Sequence, residues 1–512
     1  MEYSKAKISL EELLYDILFS IILFTKGIGL DEGSSLFRCC LLFAILLLAC
    51  KFLMGKYSIA ELIIVGLLGI WGIFAFKVTG SLGMLIYVVL IIGMKNVSVK
   101  RVFTVGMGVW SLCMLYTITA AVFFGRTGVR LIHEKLGLGP ILRESLGYTH
   151  PNVLHITYIV LMAFVLYLCR ESQKKFFIAT ILLLLGDIYI FLYSVSFTGL
   201  LFSFALLILF FYFQKRKAFS RLEMVMIEGM PILCIIISIV LPLILDDGIL
   251  YKVLNKILNN RVWAIRTFFQ YYQVTFFGGG NEGIEFSLDN SYVSALNGYG
   301  MIPLTIIILT YCLLLRYYLK KNRRMEPAII CTFLIAGLSE PFLFNASVKN
   351  ITVVLIGEFL YETIRKRGYV FQFFSAHNRS FLLPIGFRER IRKWQSRVKW
   401  KIAVCVILLT GMGCFLCLLP RDCVGIDRVY ADERLCHVGG ETVLLPEEPN
   451  DERTLYIENK SADINYYFFS RENSKLIEIM DLRVKVSVSL YAAASAGALF
   501  VCINGRLGRK DD

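Results

Sequence analysis

The chain has 512 residues, 57% of them hydrophobic and 18% charged, with a mean hydropathy of +0.66. Soluble chains run at about 45–50% apolar and about 25% charged, so this composition excludes a soluble multidomain enzyme, a disordered chain and a collagen-like one. The formal net charge of +15 fits either nucleic-acid binding or loops held on one side of a membrane.

A helix needs about 20 mostly apolar residues to cross a bilayer. About 14 such segments lie along the chain, near 10–25, 36–54, 59–76, 80–94, 102–124, 153–169, 176–194, 197–214, 230–245, 291–315, 327–344, 350–364, 401–419 and 484–502. The expected fold class is an all-α, polytopic integral membrane protein. The first segment follows a weakly basic start with no small-residue cleavage site, so it reads as a retained helix. With the N-terminus in the cytoplasm, 33 of the 54 Lys and Arg fall inside, 20 fall outside and Arg38 sits at a helix end. The positive-inside rule then places both termini in the cytoplasm. Most of the positive excess is explained by orientation, which removes nucleic acid as a partner and leaves membrane lipid.

Three outside segments exceed simple connections: 125–152, 246–290 and 420–483. Long ordered loops carry function or their own structure. The third holds 14 acidic and 8 basic residues. Its β-prone stretches Glu441–Leu445, Thr454–Glu458 and Ile464–Phe469 predict a small external appendage between two extra spans within 401–512. A basic cytoplasmic linker, 365–400, separates that part from a core of residues 1–364. Most of the 14 cysteines lie inside spans, where Cys acts as a small apolar residue. Cys423 and Cys436 form the one pair within the appendage and are candidates for a disulfide. No CxxC pair or His-Cys cluster suggests zinc, and a P-loop, GxGxxG and a catalytic triad signature are absent from the sequence, so no metal or cofactor is expected.

The stretch 258–302 is the most informative. Before Phe276 it reads as an amphipathic helix on the outer surface. Lys252 and Lys256, one turn apart, read as snorkelling to lipid headgroups. Arg261 and Arg266 can border one cleft, and the planar guanidinium suits phosphate. Gly278, Gly279 and Gly280 permit a tight turn or a close backbone approach. Asp289 and Asn290 stand where the chain re-enters the membrane, either as proton acceptor and sugar ligand or as a helix cap. In Arg143–Asn152, Pro151 starts a helix and sets His150 and Asn152 at its positive end, a place that favours an anion. Asp16, Glu61, Asp187, Glu340 and Glu358 lie within spans, where ionisable groups are costly. Asp16 and Glu340 fall near span ends. Glu61 and Asp187 are deeper and read as a proton relay or as hydrogen-bonded pairs between helices.

Taken in order, Leu-Gly-Tyr-Thr-His-Pro-Asn from 146, Asn-Arg-(x)4-Arg from 260, Phe-Gly-Gly-Gly from 277, Asp-Asn-Ser-Tyr from 289 and Gly-Tyr-Gly-Met-Ile from 298 resemble the Wzy-type polysaccharide polymerases. These are the repeat-unit polymerases of O-antigen and capsule synthesis, related to the O-antigen ligases. The likeness covers roughly residues 1–364. It implies a GT-C-like membrane glycosyltransferase in a bacterial plasma membrane, building a surface polysaccharide from undecaprenyl pyrophosphate-linked oligosaccharide without metal or cofactor. A chain-length regulator and a flippase would be its partners. Motif positions imply Arg261, Arg266, Asp289 and His150 as catalytic, and Asn152, Asn290, Arg143, Tyr299 and Gly279 as substrate-binding. The arginines would hold the departing pyrophosphate, and Asp289 or His150 would accept the proton. Many relatives carry Ser-Arg-Thr-Gly where Ser196–Gly199 reads Ser-Phe-Thr-Gly, so Arg126, Arg130 or Arg143 would have to replace that arginine. The segment 401–502 lies outside the likeness. A ligase is a second reading. A lipid-linked oligosaccharide flippase or other transporter is a third, although matching Gly/Pro-broken spans, the mark of many transporters, are not visible.

Overall fold

A computed structural model describes residues 7–507 except 125, 127, 136–138, 217, 259, 280–285, 287, 365–369, 373–379, 383–399, 422–434, 439–440, 445–453, 459–465 and 471–473. The strands β1 (Lys7–Ser9), β2 (Lys56–Ser58), β3 (Arg130–Lys135), β4 (Gly139–Glu144), β5 (Val370–Gln372), β6 (Ser380–Leu382), β7 (Leu435–Val438), β8 (Glu441–Leu444), β9 (Thr454–Glu458) and β10 (Tyr466–Ser470) form only two-stranded ribbons among the described residues. The rest of the ordered structure is helical. Helices α1 (Leu10–Gly27), α2 (Ser35–Met54), α3 (Ile59–Thr79), α4 (Gly83–Gly93) and α5 (Val99–Phe124) precede the β3–β4 hairpin. Then follow α6 (Pro151–Cys169), α7 (Gln173–Ser194), α8 (Phe197–Lys215), α9 (Arg221–Glu228) and α10 (Met230–Ile235), a π turn (Ile236–Val240) and α11 (Leu241–Ile244). The short α12 (Ile249–Ile257), α13 (Arg261–Tyr271) and α14 (Ser291–Tyr299) lead to α15 (Met301–Lys320), α16 (Met325–Ala336) and α17 (Thr352–Thr363). The chain closes with α18 (Trp400–Leu418) and α19 (Ser474–Leu507).

Serine sets many of these starts. Ser9 and Ser58 each form a reciprocal capping box, with Glu12 and Glu61 respectively, satisfying amide groups that a helix N-terminus leaves open. Among the described residues, seven helices are long and apolar enough to cross a membrane: α2, α3, α5, α6, α7, α8 and α15. An eighth crossing forms if α9 and Met230–Ile244, bent by 46°, are one span. The bend falls at Gly229 and Pro231. The π turn precedes Pro242, whose ring has no N–H and would crowd the carbonyl four residues back. The protein is a membrane-embedded α-helical bundle. Its surface agrees: Leu67, Ile70 and Ile208 are 61%, 69% and 65% exposed, a surface that water would drive to aggregate and lipid accepts.

Among the described residues, seven or eight crossings pass this test, so the expectation of 14 spans is supported in part. The segment 80–94 is helical only over Gly83–Gly93, 327–344 only to Ala336, and 291–315 is broken at Gly300. In α1, Glu11, Glu12, Asp16 and Lys26 lower the apolarity. These shorter pieces still belong to the core. Tyr15 of α1, Leu90 of α4, Tyr292 of α14 and Ala328 of α16 are each fully buried. The central helix is α6, with 67% of its apolar window buried, against 17% for α3 at the periphery.

One end of the bundle is a ring of ion pairs. Glu61 meets Lys95 at 2.7 Å, Asp16 meets Arg101 at 2.5 Å, and Arg323 meets Glu326 and Glu358 at 2.6 and 2.7 Å. Three of the acids read as intramembrane are thus partners of basic residues at helix ends. β5 pairs with β2 and β6 with β1, so parts of the basic linker are tied to this same end. In the appendage, β7–β8 and β9–β10 pair antiparallel, in line with the β-prone stretches. α19 begins at Ser474, ten residues before the expected span, and packs on α7 through Tyr193 Oη and Ser487 Oγ at 2.5 Å. The Cys423–Cys436 pairing lies outside the described residues.

Removing one partner of a buried ion pair leaves a charge without compensation, at a cost of about 3–5 kcal/mol, whereas an exposed pair is worth about 0–1 kcal/mol. Lys95 and Glu61 side chains are 4% and 2% exposed, Lys100 and Glu171 54% and 63%. Lys95→Met should therefore lower the melting temperature in detergent by several degrees, and Lys100→Met should leave it unchanged. A thermal melt followed by tryptophan fluorescence decides this.

Candidate functional site

At the other end, five segments converge: the 126–150 loop, the α7–α8 turn, the start of α13, residues 288–291 and the α16–α17 connection. Glu340, in that last connection, is 7% exposed and lies at the centre. Its Oε1 accepts from Asn152 Nδ2 at 2.9 Å and from Thr198 Oγ1 at 3.4 Å, and faces Arg261 Nη2 at 3.5 Å. Asp289 Oδ2 stands on the same guanidinium nitrogen at 3.7 Å. Arg261 is the first residue of α13, and its Nε–H is buried with no partner among the described residues. Both ion pairs are long and one donor is unused, so this guanidinium keeps hydrogen-bonding capacity for an anion. Burial pushes the Glu340 carboxyl up to about 7, with Arg261 pulling the other way.

Arg143 joins the cluster from β4. It is 4% exposed. Its Nε donates to the Ser194 carbonyl at 2.7 Å and its Nη2 to Asn152 Oδ1 at 2.5 Å. Burial lowers its guanidinium to about 10, with Glu340 opposing, so it stays charged at neutral pH. Arg143 thus occupies the turn where Ser-Phe-Thr-Gly departs from the Wzy-type pattern. Phe197 instead packs edge-on against Phe191 at 5.4 Å, and Arg126 is exposed. The Arg130 side chain lies outside the described residues. The turn is braced from below. His155 touches Ser194 Oγ at 3.2 Å and Asp187 Oδ1 at 2.9 Å, and Ser203 Oγ donates to the same carboxylate at 2.7 Å. A side chain at Gly199 would collide with the His155 ring. Asp187 is thus held between helices by hydrogen bonds, one of the two readings of its position.

Other expected site residues have structural roles. His150 is the N-cap of α6, its Nδ1 accepting the Asn152 N–H at 3.1 Å. Asn290 caps α14: its Oδ1 accepts from Tyr292 and Val293 amides, and its Nδ2 donates to Ser238 Oγ and the Leu338 carbonyl, both at 2.9 Å. Its amide is fully engaged and has nothing left for a sugar. Arg266 is turned elsewhere. Its Nε donates to the Pro242 carbonyl at 2.7 Å, its Nη1 pairs with Asp247, and its plane lies 4.2 Å from the Tyr251 ring. Spacing of five along a helix carries it away from Arg261's face. Tyr299 is buried in the core and donates to the Phe344 carbonyl at 2.8 Å. Lys252 and Lys256 are exposed on α12, whose Ile249 and Leu250 are also bare, as an interfacial helix requires.

The glycine motifs are a packing device. Gly278 has φ +81 and Gly300 φ +88; a Cβ on Gly278 would fall on the Gly298 carbonyl, and one on Gly300 on the Phe276 carbonyl and the Gly278 amide. Met301 and Ile302 amides donate to Thr275 and Phe276 carbonyls at 3.0 and 3.1 Å. The two segments thus lie backbone on backbone, which fixes α15 against the chain leaving α13. Gly279 meets Val78 there.

Glu340 was the residue undervalued in the sequence. It sits in Leu-Ser-Glu-Pro at the end of an apolar run, and its carboxylate partners come from three distant segments. Comparison with family models, with curated proteins and with solved structures finds no match.

Gly278→Ala should cost about 1–2 kcal/mol from the left-handed backbone alone, and more from the carbonyl clash. Gly66, which has open space around its Cα, should accept Ala without loss. Yield and melting temperature of the two purified variants measure the difference.

Proposed function

We propose that this protein is a membrane glycosyltransferase of the Wzy-like kind, joining lipid pyrophosphate-linked oligosaccharide repeats into a surface polysaccharide. The observation that carries this reading is the loosely held Arg261. It lies between two carboxylates, beside the buried cation Arg143, with an unused buried N–H donor. Donors aimed at developing charge in a water-poor site are the strongest contribution available for expelling a pyrophosphate. The ion pairs gathered at the opposite end support a cytoplasmic placement for that end and an outward one for the site, as the positive-inside rule requires. The location proposed with it is the plasma membrane of a bacterium, with both termini inside.

In this mechanism the acceptor sugar hydroxyl attacks the anomeric carbon of the donor glycan. The bond from that carbon to the pyrophosphate oxygen breaks, and the electron pair leaves on the lipid pyrophosphate. Arg261 takes the new charge, with Arg143 behind it. The hydroxyl proton passes to Asp289, which is 38% exposed beside Arg261. His150 is disfavoured because its Nδ1 already caps α6. Glu340 is a positioning residue: ionised, it orients Arg261 and Asn152; protonated, it releases them. Arg266 has no part. No metal or cofactor is required, and a chain-length regulator and a flippase remain the expected partners.

Arg261→Ala should insert normally yet yield no polymer, with single repeat units accumulating on the lipid carrier. Purified protein given lipid-linked repeats reads this as loss of a ladder of longer products. Transfer only to a non-isoprenoid acceptor would indicate a ligase, and movement across the bilayer without new bonds a flippase.

The Glu340 carboxyl at about 7 is raised, so its ionised form dominates only above neutrality. Polymer formation should therefore fall as pH drops through about 7. Glu340→Gln keeps the shape and removes the titration. It should flatten that limb, and a limb unchanged in the variant would overturn this role for Glu340.

A further inference from the structure

A cavity opens at the same end of the bundle, lined in part by the 126–150 loop and the α16–α17 connection. It measures about 770 Å³ and is lined by Lys26 and Lys349 together with Gly29, Gly147, Tyr148 and Thr157. That volume suits a ligand rather than a few waters. Lys349 is 8% exposed, and its ammonium has no hydrogen-bond or ion-pair partner among the described residues. A buried charge in that condition is expensive, and burial holds the ammonium down to about 8, with Glu340 too distant to pair but opposing the shift.

The turn that presents Lys349 is rigid. Val348 before it has φ +56, a conformation that β-branched residues avoid and that persists only when the surroundings enforce it. Asn350 after it enforces the turn. Its Nδ2 donates to Tyr311 Oη and the Leu343 carbonyl, both at 2.9 Å, and its Oδ1 accepts from the Thr352 amide and hydroxyl. The second ammonium, Lys26, gives one hydrogen bond to the Leu30 carbonyl at 3.1 Å and lies 3.9 Å from the Phe37 ring. Two of its three N–H donors remain. Two carboxylates line the cavity as well. Glu32 is engaged by the Leu82 amide at 2.6 Å and by Ser81 Oγ, and Asp31 is exposed. They bear on Lys26, and Lys349 has only the more distant Glu340 opposite it.

We propose that this cavity is an anion site that binds the phosphate oxygens of a ligand between Lys349 and Lys26, separate from the Arg261 centre. The source we assign is the pyrophosphate of the second lipid-linked substrate. That assignment rests on the glycosyltransferase reading; the anion site itself does not. Polymerisation by this chemistry brings two lipid pyrophosphates to one enzyme, only one of which is a leaving group. A pocket lined by Lys349 and Lys26, which does not include Arg261, would seat the other without neutralising Arg261.

The test uses the full chain in phosphatidylcholine nanodiscs, titrated with radiolabelled farnesyl pyrophosphate. Each ammonium contributes charge-assisted hydrogen bonds, so Lys349→Met should weaken this binding about tenfold or more. Arg261→Ala should retain the Lys349-dependent binding. Inorganic pyrophosphate should compete, and phosphatidylglycerol added to the nanodiscs should not. Equal competition by phosphatidylglycerol would overturn the substrate assignment in favour of a lipid headgroup. If Lys349→Met fails to give folded protein by thermal melt, Lys26→Met decides by the same titration. Unchanged affinity in the folded lysine variants, or no saturable binding by the wild type, overturns the anion site. Neither result touches the product ladder, so failure here is distinct from failure of the polymerase reading. Lysine-dependent binding without any ladder would sink the polymerase reading, and with it the substrate assignment, while the anion site stands.

Discussion

A carboxylate taken out of water must be met by cations and hydrogen-bond donors, or it stays protonated. Glu340 is the place where this constraint organises the protein. It gathers Arg261 from α13, Asn152 from α6 and Thr198 from α8, and through Asn152 it draws in Arg143 from β4. Each of these comes from a different crossing or loop. The connection that carries Glu340 is itself clamped, since Ser291 Oγ donates to the Glu340 carbonyl at 2.5 Å and accepts the Leu343 amide at 3.1 Å. The helix ends at this face are therefore held together by one buried charge and its partners.

The two ends of the bundle handle charge differently. At one, acids and bases meet at short range: Glu61 with Lys95, Asp16 with Arg101, Glu326 and Glu358 with Arg323. Such pairs fix helix ends and leave little charge for a ligand. At the other, Arg261 is held at 3.5 and 3.7 Å and Lys349 has no ion pair among the described residues. Loose or missing pairs between buried charges are costly in a folded protein, and that cost is the physical sign of a site built to receive something. Anions are what such a site receives.

The features that look most like motifs divide into two kinds. The glycine-rich pair at 277–279 and 298–300 is a close backbone crossing, and Asn290 and His150 are caps. These positions constrain the chain wherever two segments must touch or a helix must start in a low-dielectric medium. Arg261, Asp289, Asn152 and Arg143 are the second kind, side chains that meet around an unfilled hydrogen-bonding need. A motif read in sequence mixes the two, because packing and chemistry act within the same short stretches.

From sequence alone came the membrane environment, the α class, the β-prone stretches of the appendage, the two long loops at the site and Arg261, Asp289, Asn152 and Arg143 as candidates. Apolar runs and charge asymmetry determine the first of these because lipid is a uniform solvent that reads composition. The breaks within the apolar runs were not legible. Whether an apolar run spans, breaks at Gly300 or bends at Gly229 depends on what packs beside it. Nor was Arg266's departure, since two arginines five apart point differently only once the helix exists. Glu340 and Lys349 became visible only in three dimensions. Their meaning lies in partners contributed, or withheld, by segments up to 188 positions away along the chain, and no local pattern encodes a missing neighbour.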